Sequence, residues 1–269
     1  MGSHLKKTTV HVEINIQRLF QVLEKRSDVL PSNRSSLFNL EFFAHEPARS
    51  LTRFTLRLQE PPTGGIFMAV WCTIRTFQAH AKELGNEAPS EPIFFVKPDG
   101  CRTESSELHV SAHPGEVHIE TECVVRLNQH GDIEAIAVGL DLTDRAAQSV
   151  LSAEGLPWSK GKTFRQAAVL GSFYPWRLGA EALSDVKTAP KIELDVNGER
   201  WQEASLSEMS ITPAQQLESL IQWAPVSTGD LLFTGTPQGV AQLQPGDVIE
   251  ARLFAADGEL LSSYSGRCR

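Results

Sequence analysis

GEVHIETECVVRL, residues 115–127, alternates apolar and polar side chains at a period of two, the mark of a β-strand. Read as one strand, it sets Val117, Ile119, Thr121 and Cys123 on one face and His118, Glu120 and Glu122 on the other. Carboxylates at i and i+2 on one pleated face lie a few ångströms apart and repel unless a cation sits between them. Alone, the pattern describes a half-buried strand with a solvated polar face. Its company gives it further meaning: Asp141 downstream, His80 and Glu83 upstream, Lys162 later, and a Thr-Gly-Thr-Pro turn at 234–237.

Outward from that strand the chain reads as short strands and turns. The turn Asn128–Asp132 signals a hairpin, whose second strand, 133–140, delivers Asp141 at its end. A helix is expected over 143–154, carrying Arg145 and Gln148, and Asn197-Gly198 marks a second hairpin inside 191–202. Residues 211–223 suit a helix with Thr212 as N-cap and Pro213 at its first position. Upstream, an apolar strand over 66–74 leads into a short helix closed by Gly85, then a strand over 93–96 that ends at Lys97. In the short helix His80 and Glu83 stand at i and i+3, on one face. Residues 1–62 are read as an N-terminal lobe or extension: weak strands at 8–15 and 51–58, an amphipathic helix at 16–25 and a polar turn at 33–36. The first four residues resemble a cloning remnant. Residues 63–269 are read as the catalytic domain.

At 269 residues, with 41 % hydrophobic and 22 % charged residues, the chain has the composition of a soluble globular enzyme. A formal charge of −8 argues against nucleic acid as a partner. The longest apolar run is too short to span a bilayer. The four cysteines form no CxxC pair, and with no secretory signal they read as reduced thiols of a cytoplasmic protein.

Several chemistries fail on spacing. Gly161-Lys162-Thr163 resembles the tail of a phosphate loop, but it follows a helix and its upstream glycine, Gly155, is one residue too far away. Neither GxGxxG nor GxSxG occurs. His109, His113 and His118 lack the spacing of a zinc site and are expected to be structural or solvated. Glu120, Glu122 and Asp141, in contrast, offer three hard oxygen donors, suited to Mg²⁺ or Mn²⁺, with Ca²⁺ also accommodated. Three protein ligands leave room on an octahedral ion for water and a chelating substrate. His80 with Glu83 has the logic of a general base oriented by a carboxylate. Lys162 and Arg145 can offset a substrate's negative charge.

With these residues in place, the chain resembles the fumarylacetoacetate hydrolase family, in its acylpyruvase and oxaloacetate decarboxylase-like branch. HAKELG with EPIFFVKP matches the segment carrying that family's His-Glu dyad and a lysine, here His80, Glu83 and Lys97. VHIETECVV matches its ExE metal strand, and GLDLTDRAAQ the segment of the third ligand, Asp141, with Arg145 and Gln148. KGKTF matches the active-site lysine loop at Lys162, VNGERWQ the hairpin bearing Gln202, and GDLLFTGTPQGV the turn bearing Thr236. Thr76 and Phe77 depart from the usual Asn-Tyr, as do Ala146 and Arg165 from Asp and Ala241 from Gly.

The resemblance implies a mainly β (α+β) fold, a mixed β-sandwich roll with short helices, usually found as a homodimer. It implies catalytic roles for His80, Glu83 and Lys162, and substrate contacts from Arg145, Gln148, Lys97, Gln202 and Thr236. The expected function is divalent-metal-dependent hydrolysis of a C–C bond in an acylpyruvate-type β-diketo acid, through a metal-stabilised enolate. A decarboxylase or enol-keto isomerase on the same scaffold is the alternative. A non-catalytic, metal-stabilised binding module is the alternative from another class.

Overall fold

The structure, a computed structural model, describes residues 68–83, 85 and 89–269, plus the dipeptides Val10–His11 and Thr55–Leu56, which pair antiparallel. The chain divides into two compact units, Met1–Ile66 and Phe67–Arg269. Apart from those dipeptides, the elements expected before residue 63 lie outside the described residues, as does the expected boundary at 62/63.

In the second unit, strands dominate and helices are few and short. Its chain order is β1 (Val70–Ile74), α1 (Gln78–Glu83), β2 (Ile93–Lys97), β3 (Val117–Ile119), β4 (Thr121–Leu127), β5 (Ile133–Asp141) and β6 (Thr143–Asp144). Then come α2 (Arg145–Ala153), α3 (Ser159–Lys162), β7 (Ala168–Leu170), β8 (Lys191–Val196) and β9 (Glu199–Ser205). The unit ends with α4 (Pro213–Trp223), β10 (Leu231–Phe233), β11 (Ala241–Gln242), β12 (Val248–Phe254) and β13 (Leu260–Cys268). Short strands at Arg102–Thr103, Glu107–Leu108 and Tyr174–Pro175 complete the sheets.

A large mixed sheet runs β2-β1-β10-β4-β5-β7 and closes on Arg102–Thr103. A five-stranded sheet runs β9-β8-β12-β13 and closes on Glu107–Leu108, while β6-β3-β11 form a small third sheet. One core cluster unites Val125, Ile136 and Val138 of the large sheet with Ile192, Leu194, Ile249 and Leu253 of the five-stranded one. The opposite face of the large sheet has its own cluster, built on Val70, Cys72, Val124, Leu231 and Phe233. This is the mixed sandwich-like architecture that the family resemblance implies. All four cysteines are buried and unpaired.

Local chemistry explains the most regular elements. Asn197 and Gly198 both adopt positive φ, 53° and 82°, which two-residue hairpin turns of this kind require. Thr212 accepts from the Gln215 N–H, and Gln215 reaches back to the Thr212 N–H, a full capping box in front of Pro213.

The stretch 115–127 departs from its expected form. It is two strands, not one: β3 belongs to the small sheet and β4 to the large one, with Glu120 at the break between them. Because the large sheet is covered on both faces, the polar side of the alternation is not solvated. Glu120 and Glu122 are 5 % and 2 % exposed.

Candidate metal and substrate site

The antiparallel register of β4 and β5 sets Glu122 opposite Gly139 and Thr121 opposite Leu140. The Asp141 N–H then donates to the Glu120 carbonyl at 2.8 Å, so the end of β5 lies beside the break after β3. One carboxylate oxygen from each of Glu120, Glu122 and Asp141 lies within 4.8 Å of the others, and all three residues are buried. A cavity of about 410 Å³ opens onto this triad. His80, Arg145, Gln148, Lys162 and Thr236 line it, and so do Arg75 and Trp158.

Positive charge surrounds two of the three carboxylates. Lys162 Nζ donates to Glu120 Oε2 and Asp141 Oδ2, each at 2.8 Å, and to Thr143 Oγ1 at 2.6 Å. Arg145 donates to Glu120 and, at 2.7 Å, to Gln148 Oε1. Burial pushes the Glu120 carboxyl up, but Lys162 and Arg145 outweigh it and hold it below the usual carboxylate range. For Lys162 burial favours the neutral amine, yet Asp141 and Glu120 beside it keep the ammonium form.

Glu122 differs. Its neutralising contact is a hydrogen bond from the Gly235 N–H at 2.6 Å, and among the described residues no cation pairs with it. Burial, then Asp141, then Glu120 raise its carboxyl well above the usual range. A buried carboxylate crowded by two others and lacking its own cation is where a divalent ion fits, and three hard oxygen donors suit such an ion.

The dyad is also assembled. His80 Nδ1 lies 3.0 Å from Glu83 Oε2, and the Gly239 N–H donates to Glu83 Oε1 at 3.1 Å. His80 is buried and lines the cavity, while Glu83 stands behind it, partly exposed. This geometry holds one imidazole nitrogen and leaves the other free toward the cavity.

Two residues expected to touch substrate do not line the cavity. Lys97 is fully buried: its Nζ donates to the Leu142 and Ala167 carbonyls at 3.1 and 2.7 Å. It also ion-pairs with Asp141 Oδ1 at 2.7 Å, without the alignment of a hydrogen bond. It therefore orients a carboxylate of the triad from behind. Gln202, 1 % exposed, accepts from the Thr121 N–H at 2.9 Å and donates to Thr236 Oγ1 at 2.9 Å and the Pro237 carbonyl at 2.8 Å. It fixes the turn that presents Thr236. Both long side chains are consumed by backbone groups, which sequence spacing does not reveal.

Sequence reasoning missed Thr143, two residues beyond Asp141 and hence on the same side, which receives Lys162. It also missed Asp144. This side chain accepts from the Ala147 N–H at 2.9 Å, capping α2, and lies 2.7 Å from His113 Nε2. His113, whose ring stacks on Phe164 at 4.2 Å, thus braces the helix that carries Arg145 and Gln148.

Residues 69–263 match the family model described as "Fumarylacetoacetate (FAA) hydrolase C-terminal". The chain is 32 % identical over 189 residues to an oxaloacetate tautomerase, YcgM, of Escherichia coli, covering 66 % of this chain and 84 % of that protein. It is 28 % identical over 200 residues to a mitochondrial oxaloacetate decarboxylase of Dictyostelium discoideum, covering 69 % and 88 %. Among solved structures, a fumarylpyruvate hydrolase from Pseudomonas aeruginosa in complex with Mn²⁺ and pyruvate superposes with a TM-score of 0.64 at 26 % identity, covering 88 % of this chain and 99 % of that one.

Proposed function

The chain belongs to the fumarylacetoacetate hydrolase family, and from that premise we propose that it is a divalent-metal-dependent enzyme of 2-oxo acids whose reaction passes through an enolate. Keto–enol interconversion of an oxaloacetate-type substrate is the first reading, supported by the likeness to an oxaloacetate tautomerase. The observation that carries it is the meeting, in one cavity, of the buried carboxylate triad with the free edge of His80. Mg²⁺ or Mn²⁺ is the proposed ion, with Glu120, Glu122 and Asp141 as its ligands. When bound, it supplies Lewis-acid polarisation of the substrate's 2-oxo group.

The protein's own groups do the rest. His80, held by Glu83, takes the proton from the carbon next to the 2-oxo group, and a proton returned to oxygen completes the enol. Lys162 and Arg145 lie where negative charge develops, and groups so placed are worth roughly 3 kcal/mol of transition-state stabilisation each. Thr236, oriented by Gln202, and Gln148 provide hydrogen bonds that fix the substrate.

C–C bond hydrolysis of an acylpyruvate is the second reading, favoured by the same dyad because an oriented imidazole also activates water. The fumarylpyruvate hydrolase likeness supports it. Enolisation and cleavage part company at the products: oxaloacetate retains its carbon skeleton, whereas acetylpyruvate yields pyruvate and acetate. Following both by ultraviolet absorbance and chromatography, in Mg²⁺ and in EDTA, separates them. Substituting His80→Ala should lower kcat roughly 10²- to 10⁴-fold on the physiological reaction. An unchanged rate removes the dyad from the mechanism. No turnover of any 2-oxo acid in Mg²⁺ leaves the non-catalytic binding module. Homodimeric assembly, which the family resemblance implies, and cytoplasmic placement, which four unpaired thiols support, belong to the same proposal, and size-exclusion chromatography tests the first.

A further inference from the structure

We propose that Arg75 determines specificity for substrates bearing a second carboxylate: the site takes 2-oxo dicarboxylates, and Arg75 binds the carboxylate remote from the 2-oxo group. This rests on the 2-oxo acid reading of the site. Three observations carry it.

The first is a balance of charge. Of the cations around the triad, Lys97 pairs with Asp141, Lys162 with Glu120 and Asp141, and Arg145 with Glu120. Arg75 lines the same cavity, is half-buried, and among the described residues has no ion-pair partner. It is a cation not already committed to the triad. A planar guanidinium, partly withdrawn from water, matches a carboxylate through two parallel hydrogen bonds.

The second is its backbone. Arg75 adopts φ 57°, the left-handed region that a side chain bearing Cβ seldom enters. Glycine would be the undemanding choice there, and an arginine stands there instead.

The third explains how that conformation persists. Ile74, just before it, is paired with Ile93 at the end of β1. Thr76, just after it, is fully buried. Its hydroxyl donates to the Thr234 carbonyl at 2.8 Å, and its own carbonyl accepts from the Ser210 N–H at 2.7 Å. Arg75 is the single residue between two fixed points. The second point is the turn whose Gly235 N–H holds Glu122, so the backbone from which Arg75 extends into the cavity is tied to the same turn as the triad.

The test compares two unreactive 2-hydroxy acids, malate with a remote carboxylate and lactate without one, with oxalate as a reference that stays at the triad. Affinities are measured by calorimetry on the full chain in Mn²⁺, so the readout does not depend on turnover. Wild-type protein should prefer malate over lactate roughly tenfold to a hundredfold, the range for hydrogen bonds to charged groups. Arg75→Gln should abolish that preference and leave oxalate binding unchanged, and Arg75→Lys should restore part of it. Arg75→Gly, which suits the backbone, guards against a folding artefact and should behave like Arg75→Gln at a melting temperature within a few degrees of wild type. A malate preference that survives in Arg75→Gln or Arg75→Gly, or its absence from wild type, overturns the proposal. Loss of the preference in a protein that turns over no 2-oxo acid would uphold the anion site while refuting the enzymatic reading.

Discussion

Glu122 is the carboxylate of the triad that no cation pairs with among the described residues. Burial and two neighbouring carboxylates raise its folded-state pKa above the ordinary value of 4.5. A carboxyl shifted in that direction costs nothing while protonated in both states. Its penalty appears as pH rises above the unfolded value and grows until the folded value is passed. In EDTA, therefore, Glu122→Gln, which keeps the acceptor for the Gly235 N–H, should melt higher than wild type, and the gap should widen between pH 5 and pH 8. Relief of roughly 1–3 kcal/mol corresponds to a few degrees. In saturating Mn²⁺ the order should reverse, because the variant lacks a ligand. Differential scanning fluorimetry across pH checks both halves, and a variant less stable than wild type in EDTA at pH 8 would refute the account.

At the scale of elements, the turn preceding β10 is the most heavily tied. Asp230 is 2 % exposed and accepts from the Ala69 N–H at 2.8 Å, the Ser227 N–H at 3.0 Å and Trp71 Nε1 at 3.2 Å. Asp230→Ala strips partners from three donors, of which the Trp71 indole N–H is buried and the other two are part-buried, and should cost about 2 kcal/mol in chemical denaturation; a loss under about 1 kcal/mol would contradict this reading. The turn after β10 is equally constrained: a Cβ on Gly235 would lie 2.0 Å from Thr76 Oγ1, at φ 101°. Gly235→Ala should therefore weaken Mn²⁺ binding as well as stability, since the same N–H holds Glu122. What the sequence makes legible follows from this contrast. The Asn197-Gly198 turn, the Thr212 capping box and the dyad spacing of His80 and Glu83 are local chemistry, written within a few residues. The break at Glu120 is not, because the apolar-polar alternation continues across it while the hydrogen-bond partners change. Nor is the fate of Lys97 and Gln202, whose reach depends on which carbonyls folding brings near. A left-handed arginine at 75 carries no sequence mark at all.

For the whole molecule, the triad joins two sheets: Glu120 follows the small sheet, while Glu122 and Asp141 sit on a hairpin at the centre of the large sheet. An ion held there ties the two sheets together in the folded state alone. Mn²⁺ at a hundred times its dissociation constant should stabilise the protein by about 2.7 kcal/mol, a rise in Tm of roughly 5–10 °C that EDTA abolishes. The charge network on the five-stranded sheet, where Arg200 meets Glu193 and Asp195, is partly exposed and lies away from the triad, and should show little response to the ion.

The four buried thiols have a practical consequence. Cys123 adjoins Glu122, is fully enclosed, and burial keeps its thiol protonated well above the usual range, so a sulfhydryl reagent can reach it only when the sheet opens. Its labelling rate becomes a clock for that opening, read at the strand bearing Glu122, and a chromophoric disulfide reagent timed with and without Mn²⁺ would report how tightly an added ion keeps that strand shut.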